Sequence, residues 1–314
     1  MRILLIDKTH EILEERLREA GHDLVEGYAM GREEALAGMA AFDGMVVRSR
    51  FPIDQAFLEH CGHLRFIARF GSGMENIDVP FAQKLGIACL NAPEGNREAV
   101  AEHALGMILA LFRNLRRVDE EVRNGVWRRK ENMGLEISGK TVGIIGYGNM
   151  GSAFSRVLSG LGCRIIAHDK YVQGFARPGV EEVDLKRIFE ESEILSLHLP
   201  LTEETHHYAD PAFFRSFRKP ITFISTCRGK VTDTNALAHA LEEGRVTGAC
   251  LDVLESEKSS FEGLVAEGSI SSGLQYLIEQ RDRVILSPHI AGWTHEAFEK
   301  MANILADKIL VQDA

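Results

Sequence analysis

The chain has 314 residues, with 36 basic and 46 acidic side chains, a formal net charge of −10, and 45% hydrophobic residues. This length predicts two domains with separate cores, and the acidic balance argues against a nucleic-acid or anionic-membrane binder, since both surfaces repel negative charge. No apolar run is long enough to span a membrane, and Asp7 and Lys8 interrupt the segment that a signal peptide needs, so we expect a cytoplasmic protein.

The first third of the chain alternates short apolar runs with helical patterns. Strands are predicted at residues 2–7, 44–48, 64–69 and 86–90, and a helix after the first of them ends at Gly21. Fully apolar strands separated by helices indicate a parallel sheet that is covered on both faces.

A longer helical pattern follows at residues 97–124, which contain no proline and one glycine. Such a helix would extend for roughly 40 Å. Because its first half is apolar around nearly the whole circumference, other elements must cover it, and we expect contact with a partner subunit in a homodimer.

A second alternation of strands and helices occupies the rest of the chain. Helices are predicted at 235–243 and 294–310, the last returning to the first domain, and residues 256–273 are predicted to form an irregular loop. The predicted strands are 141–145, 164–168, 194–198, 221–226, 247–252 and 284–287.

A glycine-rich turn after the strand at 141–145 is the sharpest local motif. Gly146 permits the tight turn, Gly148 lets backbone amides approach a pyrophosphate, and Gly151 lets the next helix pack closely on the strand. The loop predicted to bind a dinucleotide comprises Gly146, Tyr147, Gly148, Asn149, Met150 and Gly151.

Asp169 ends the next predicted strand, 18 residues beyond Gly151. Its carboxylate can accept hydrogen bonds from ribose hydroxyls and would repel a 2′-phosphate, which favours NAD over NADP. A Rossmann-like protein that binds S-adenosylmethionine is the alternative, and a glycine turn with an Asp helix cap is the purely structural one.

Three further polar residues, Arg228, Glu257 and His289, lie at or just beyond predicted strand ends, where open α/β sheets bind ligands. Taken singly, each also has an ordinary structural explanation, as a surface cation, a solvated charge and a loop histidine. The five cysteines, Cys61, Cys89, Cys163, Cys227 and Cys250, show no metal or disulfide spacing, so no metal is expected.

Together, these segments resemble the D-isomer-specific 2-hydroxyacid dehydrogenase family over nearly the whole chain. The resemblance rests on GYGNMG at 146–151, Asp169, STCRG at 225–229, LDVLESE at 251–257 and SPHIAGWT at 287–294, with support from VVRS at 46–49, GSGMENID at 71–78, NAPEGNREAVAEH at 91–103 and GVW at 125–127.

The resemblance implies an α/β fold with two doubly wound, Rossmann-like domains built on parallel sheets. A flavodoxin-like substrate domain would comprise residues 1–97 and 292–314, and an NAD-binding domain at residues 98–291 would be inserted into it.

The resemblance also implies roles for individual residues. Arg228 would bind the substrate carboxylate and polarise its 2-oxo group, His289 would donate a proton to the developing alkoxide, and Glu257 would stabilise the imidazolium. Further NAD contacts would come from Thr226, Cys227 and Asp252, and further substrate contacts from Arg48, Ser49, Ser72 and Gly73.

The implied reaction is the NAD-dependent interconversion of a small anionic 2-oxo acid and its D-2-hydroxy acid. Oxidation of 3-phosphoglycerate ranks ahead of glyoxylate or hydroxypyruvate reduction, and an NAD-sensing, corepressor-like binding protein is the alternative of another class. Arg48, Arg50 and Arg69 form a candidate phosphate cluster, with ordinary surface arginines as the alternative.

The sequence departs from the family pattern beside two catalytic candidates. Lys258 replaces the proline expected after Glu257, and the segment from Glu257 to His289 is longer than is usual for the family. Ser225 and Cys227 replace the residues usual beside Arg228, which we expect to alter packing more than chemistry.

Overall fold

The computed structural model describes residues 1–257 and 270–312. These residues form two compact units, an N-terminal unit of residues 1–97 with 293–312 and a central unit of residues 98–257 with 270–292. The fold class is confirmed, because each unit is built on a parallel sheet with helices.

The sheet of the N-terminal unit has five parallel strands in the order β2-β1-β3-β4-β5, which is the flavodoxin-like order. The strands are β1 Arg2–Leu5, β2 Asp23–Glu26, β3 Gly44–Val47, β4 Phe66–Arg69 and β5 Ala88–Leu90. The helices between them are α1 Glu11–Glu19, α2 Arg32–Gly38, α3 Gln55–Leu58 and α4 Val79–Lys84.

Both faces of this sheet are buried, as the apolar strands predicted. Leu4 and Ile6 belong to one hydrophobic cluster, whereas Ile3 and Leu5 belong to the cluster on the opposite face. Alternate residues of a strand point to opposite faces, so the same strand contributes to two cores.

The central unit has seven parallel strands in the order β12-β11-β10-β9-β6-β7-β8. Numbered within the unit, this is the 3-2-1-4-5-6 Rossmann order with one added strand. The strands are β6 Thr141–Ile145, β7 Arg164–His168, β8 Val180–Glu182, β9 Ile194–Leu197, β10 Ile221–Ser225, β11 Val246–Leu251 and β12 Val284–Leu286.

Seven α-helices belong to the described part of the central unit. These are α5 Arg97–Phe112, α6 Leu115–Arg123, α7 Asn149–Leu158, α8 Leu185–Glu191, α9 Pro211–Ser216, α10 Thr234–Glu242 and α11 Ser272–Glu279. The last helix returns to the N-terminal unit. Helix α12, His295–Val311, is capped by Thr294 and packs on α1, as predicted.

The predicted helix at 97–124 is wrong as a single element. It is interrupted at Asn114, which has a φ of 52° and separates α5 from α6. The αL conformation, which asparagine adopts more readily than most residues, ends the helical hydrogen-bond pattern. No continuous helix of about 40 Å is therefore formed.

Residues 258–269 of the predicted irregular loop lie outside the described residues. The end of the predicted loop is wrong, because its last two residues, Ser272 and Gly273, begin helix α11. Ser271 caps this helix, and its hydroxyl accepts the backbone N–H of Leu274 at 3.2 Å. The close approach of Gly273 to Asn235 lets α11 pack against α10.

Candidate active site

Three neighbouring strands of the central sheet bring the later candidates to one edge. Ser225 at the end of β10 pairs in register with Leu251 of β11, and Leu251 pairs with Leu286 of β12. Because the strands are parallel, the residues that follow them, including Arg228 and Asp252, lie at the same carboxyl edge.

Glu257 and His289 form a close side-chain pair at this edge. The His289 Nδ1 lies 2.6 Å from Oε2 of Glu257, and the side chains are only 23% and 13% exposed. The other carboxylate oxygen of Glu257 accepts the backbone N–H of Leu254. With Nδ1 facing the carboxylate, Nε2 is the ring nitrogen suited to proton exchange with a substrate.

The backbone beside His289 is held by Asp252. His289 has a φ of 54°, which is unusual for a side chain of this size. Its N–H donates to the Asp252 carbonyl at 2.8 Å, while the Asp252 carboxylate accepts the N–H groups of Ile290 and Ala291 and the Ser287 hydroxyl. These bonds fix the left-handed turn that presents the imidazole.

Arg228 begins a tight turn three residues beyond the end of β10. Its Nη1 donates to the Cys227 carbonyl at 2.5 Å, and Cys227 is buried with its Sγ 3.3 Å from the Ser225 hydroxyl. A Cβ on Gly229 would lie 2.0 Å from the Leu254 carbonyl oxygen. The turn that carries Arg228 therefore packs directly against the turn that carries Glu257.

The glycine loop lies at the strand-order reversal between β6 and β9. Gly146 has a φ of +90°, and a Cβ on Gly151 would lie 2.0 Å from the Gly146 carbonyl oxygen. Apart from the two residues next to it in the chain, no described atom lies within 4 Å of a Cβ built on Gly148. Gly146 and Gly151 are thus required by the fold, whereas the small size of Gly148 leaves room for a ligand.

Helix α7 begins at Asn149 and includes Met150 in its first turn, so the unpaired N–H groups of that turn face the same loop. The Tyr147 side chain is buried, with its hydroxyl 2.9 Å from that of Ser155. Tyr147 therefore contributes its ring to the core and its backbone to the loop.

Asp169 connects this loop to the end of β7. Its carboxylate accepts the N–H of Tyr147 at 2.7 Å and those of Tyr171 and Val172 at 2.8 Å. Burial acts to raise the pKa of Asp169, but these three donors hold it below the ordinary value. The side chain is therefore a carboxylate at neutral pH, placed where Rossmann folds bind ribose.

The chain's own residues fit a dinucleotide at this crevice. Besides the open space at Gly148, the buried Thr226 Oγ1 has no hydrogen-bond partner among residues 1–257 and 270–312. A buried hydroxyl normally has a partner, which a bound cofactor can supply. Asp252 is already occupied by the turn around His289, so its expected NAD contact stays a prediction.

In the N-terminal unit, two of the three candidate arginines are in contact through a side chain and a backbone carbonyl. The Arg69 Nε donates to the Arg48 carbonyl at 3.3 Å, and the Arg48 guanidinium lies 5.1 Å from the Trp293 ring and 5.3 Å from the Phe298 ring. Arg50 instead pairs with Asp7 at 3.2 Å. Arg48 and Arg69 are therefore neighbours, and Arg50 is directed to a structural partner.

The remaining substrate candidates occupy the loops after β3 and β4. Ser49 follows Arg48 directly, and Gly73 follows Ser72. The Ser72 hydroxyl donates to Asn96 Oδ1 at 2.6 Å, while its carbonyl accepts the Asn91 side-chain amide. The side chains of Asn91 and Asn96 thus fix the loop that contains Ser72 and Gly73.

Sequence reasoning missed two residues that shape these sites. Ser287 bonds to Asp252 and lies 2.9 Å from His103 Nε2, and the exposed Trp293 stacks on Arg48. Both belong to the SPHIAGWT segment, so their closeness in sequence to His289 and the rarity of tryptophan were the available signals.

The Rossmann strand order, the glycine loop, the strand-end acid and the buried histidine–carboxylate pair define a dinucleotide-binding oxidoreductase. Residues 105–291 match the family model described as "D-isomer specific 2-hydroxyacid dehydrogenase, NAD binding domain". The chain belongs to this family, and NAD is its cofactor.

Several relatives show how far the similarity extends. D-3-phosphoglycerate dehydrogenase of Archaeoglobus fulgidus is 31% identical over 99% of the chain, which spans 57% of that protein. Glyoxylate reductase of Thermofilum pendens is 34% identical over 89% of the chain and 80% of the relative. These relatives therefore include enzymes named for two different substrates.

A solved structure of D-lactate dehydrogenase from Aquifex aeolicus, complexed with NAD and lactic acid, is similar over 99% of this chain and 95% of its own. It has a TM-score of 0.82 and 25% sequence identity.

The described part of the chain contains no helix with both the length and the apolar character to span a membrane.

Proposed function

We propose that the protein catalyses the NAD-dependent interconversion of a small 2-oxo acid and its D-2-hydroxy acid. The observation that carries this proposal is the 2.6 Å pair of Glu257 and His289, at the same sheet edge as Arg228 and the glycine loop. NAD, when bound, accepts or supplies the hydride at the substrate C2 atom.

The side chains of the central unit supply the remaining chemistry. Arg228 binds the carboxylate with its planar guanidinium and polarises the 2-oxo group. His289 donates a proton to the oxygen as the alkoxide develops, and takes it back in the oxidative direction. The negative charge of Glu257, next to Nδ1, stabilises the imidazolium, which is the form that donates the proton in reduction and that results from proton uptake in oxidation.

We propose 3-phosphoglycerate and its 2-oxo form as the preferred substrate pair. One support is the contact of the Arg69 guanidinium with the Arg48 backbone carbonyl in the N-terminal unit, because arginines on adjacent strand ends can together bind a phosphate. The other is the similarity to a phosphoglycerate dehydrogenase over 99% of the chain. Ser49 and the backbone of Ser72 and Gly73 would complete the substrate contacts. Reduction of glyoxylate or hydroxypyruvate is the second candidate, supported by the 34% identical glyoxylate reductase.

The test is NADH oxidation at 340 nm with phosphohydroxypyruvate, hydroxypyruvate and glyoxylate in parallel. We expect the highest kcat/KM with phosphohydroxypyruvate. Arg48→Gln should lower that value about 10- to 100-fold, the usual effect of one charge-assisted contact, with little effect on glyoxylate. Arg50→Gln, on the same loop but paired with Asp7, is the matched control.

Equal kcat/KM values for the three acids in wild type would contradict the phosphate assignment. Tight NADH binding without turnover of any 2-oxo acid would contradict the dehydrogenase proposal and favour an NAD-sensing binding protein.

We further propose that the protein is a homodimer that associates through α6 and the segment after it. Helix α6 has no buried residue, and Leu115 and Val122 on it are 51% and 54% exposed. Trp127 and Met133, in the following segment, are more exposed still. A short helix gains most of its stability from a covered apolar face, which a second copy would provide.

A further inference from the structure

The turn that carries Glu257 is held from its other side by a second acid. The N–H of Glu257 donates to the Leu254 carbonyl at 3.1 Å, which closes a four-residue turn. Within this turn, Glu257 contacts His289, whereas Glu255 contacts His207, with 2.6 Å between Oε1 and Nε2. The two carboxylates therefore fasten one turn to two separate partners.

Glu255 is a carboxylate at neutral pH and is held by two contacts. Its Oε2 accepts the N–H of Thr234, the first residue of α10, at 3.1 Å, where the helix leaves N–H groups unpaired. Burial acts to raise the pKa of Glu255, but the Thr234 N–H and the His207 ring hold it below the ordinary value. The side chains of Glu255 and His207 are 30% and 36% exposed, so their contact is only partly screened by solvent.

His207 is itself fixed in an uncommon conformation. Its φ is 52°, and its N–H donates to the Lys230 carbonyl at 2.8 Å, in the turn that begins at Arg228. Surrounding contacts must compensate for the cost of a left-handed residue of this size. His207 thus connects the turn of Arg228 to the turn of Glu257.

The sequence explains why such a connection matters here. Lys258 follows Glu257 where the family pattern has proline, so Glu257 lacks the backbone restriction that a following proline would impose on it. Glu257 also needs a fixed orientation to hold His289 in place, because small displacements of a catalytic group reduce the rate strongly.

We infer that Glu255, held by His207 and Thr234, is a positioning residue that orients Glu257 against His289. This inference rests on the proposed dehydrogenase function. Glu255 exchanges no proton with the substrate, and its effect passes through Glu257 alone.

The test is the Glu255→Gln variant, which keeps the size of the side chain and removes its charge. We expect kcat for 2-oxo acid reduction to fall roughly 10- to 100-fold, with the KM of the acid and the Kd of NADH changed less than about threefold. The deuterium isotope effect with labelled NADH should rise as the chemical step becomes rate-limiting. The matched control is Glu242→Gln, which removes another glutamate–histidine contact, the exposed one between Glu242 and His239 on α10.

A double-mutant cycle decides whether the effect passes through Glu257. In a Glu257→Gln background, Glu255→Gln should lower kcat by less than about twofold. The same factor in both backgrounds, or a Glu255→Gln variant with the kcat of the control, would overturn the inference.

If Glu255→Gln does not fold, two variants of its partner His207 test the inference instead. His207→Gln keeps an N–H donor and should retain more activity than His207→Leu, whereas equal kcat values would overturn the inference. A wild-type protein without activity on any 2-oxo acid would instead refute the dehydrogenase function itself.

Discussion

At the scale of single residues, the site depends on backbone bonds as much as on side-chain identity. The left-handed turn at His289 is held by the carbonyl and carboxylate of the buried Asp252. A buried carboxylate requires several donors, and this turn supplies them. Asp252 therefore holds the backbone that carries the imidazole, and Glu257 orients the ring itself.

His289→Asn should lower kcat by roughly 10²- to 10⁴-fold, the usual contribution of a positioned acid–base group. Asparagine tolerates a positive φ, so the turn and the Kd of NADH should persist. Steady-state kinetics and NADH fluorescence titration measure both, with His239→Asn on the exposed side of α10 as the control. A variant with more than a tenth of wild-type kcat would exclude His289 as the acid.

Asp169→Asn should relax the preference for NAD. The single amide oxygen can still accept the N–H groups of Tyr171 and Val172, whereas the N–H of Tyr147 loses its acceptor. The negative charge that repels a 2′-phosphate is lost. We expect the ratio of kcat/KM for NADH to that for NADPH to fall at least about tenfold. An unchanged ratio would show that the Asp169 charge does not select the cofactor.

At the scale of elements, the three glycines of the loop have different roles: Gly146 and Gly151 are required by the backbone packing, and Gly148 leaves space for a ligand. A Cβ on Gly151 would overlap the Gly146 carbonyl, whereas one on Gly148 would meet no described atom beyond its two chain neighbours. Gly151→Ala should therefore lower the free energy of unfolding by about 1–3 kcal/mol, the usual cost of overpacking.

Gly148→Ala should keep the stability of wild type and raise the Kd of NADH. Urea denaturation and fluorescence titration of the two glycine variants make the comparison, each acting as the control of the other. Equal losses of stability would contradict the separate roles of these glycines.

The elements also show where patterns in the sequence were insufficient. β2 and β8 were not predicted, because each lies at the edge of its sheet and carries acidic residues in place of an apolar run. The break between α5 and α6 was missed because one residue, Asn114, sets it, and asparagine is also acceptable inside a helix.

At the scale of the whole molecule, the surface of α6 and the segment after it predicts association. Val122→Glu should place a charge on this apolar surface and convert the dimer to a monomer in sedimentation velocity, with the far-UV spectrum retained. Val311→Glu, at an exposed position at the end of α12, is the control. A wild-type chain that sediments as a monomer would refute the dimer.

The sequence alone determined the parallel strands, the glycine loop, the strand-end acid and the order of Arg228, Glu257 and His289, because these depend on local periodicity and on residue type. Only the tertiary structure decided which partners they meet. The bond from Ala291 to Asp252, the pairing of Arg50 with Asp7, and the pairing of Glu255 with His207 join residues 39 to 48 positions apart. Such contacts are set by strand order and register, which no local pattern encodes.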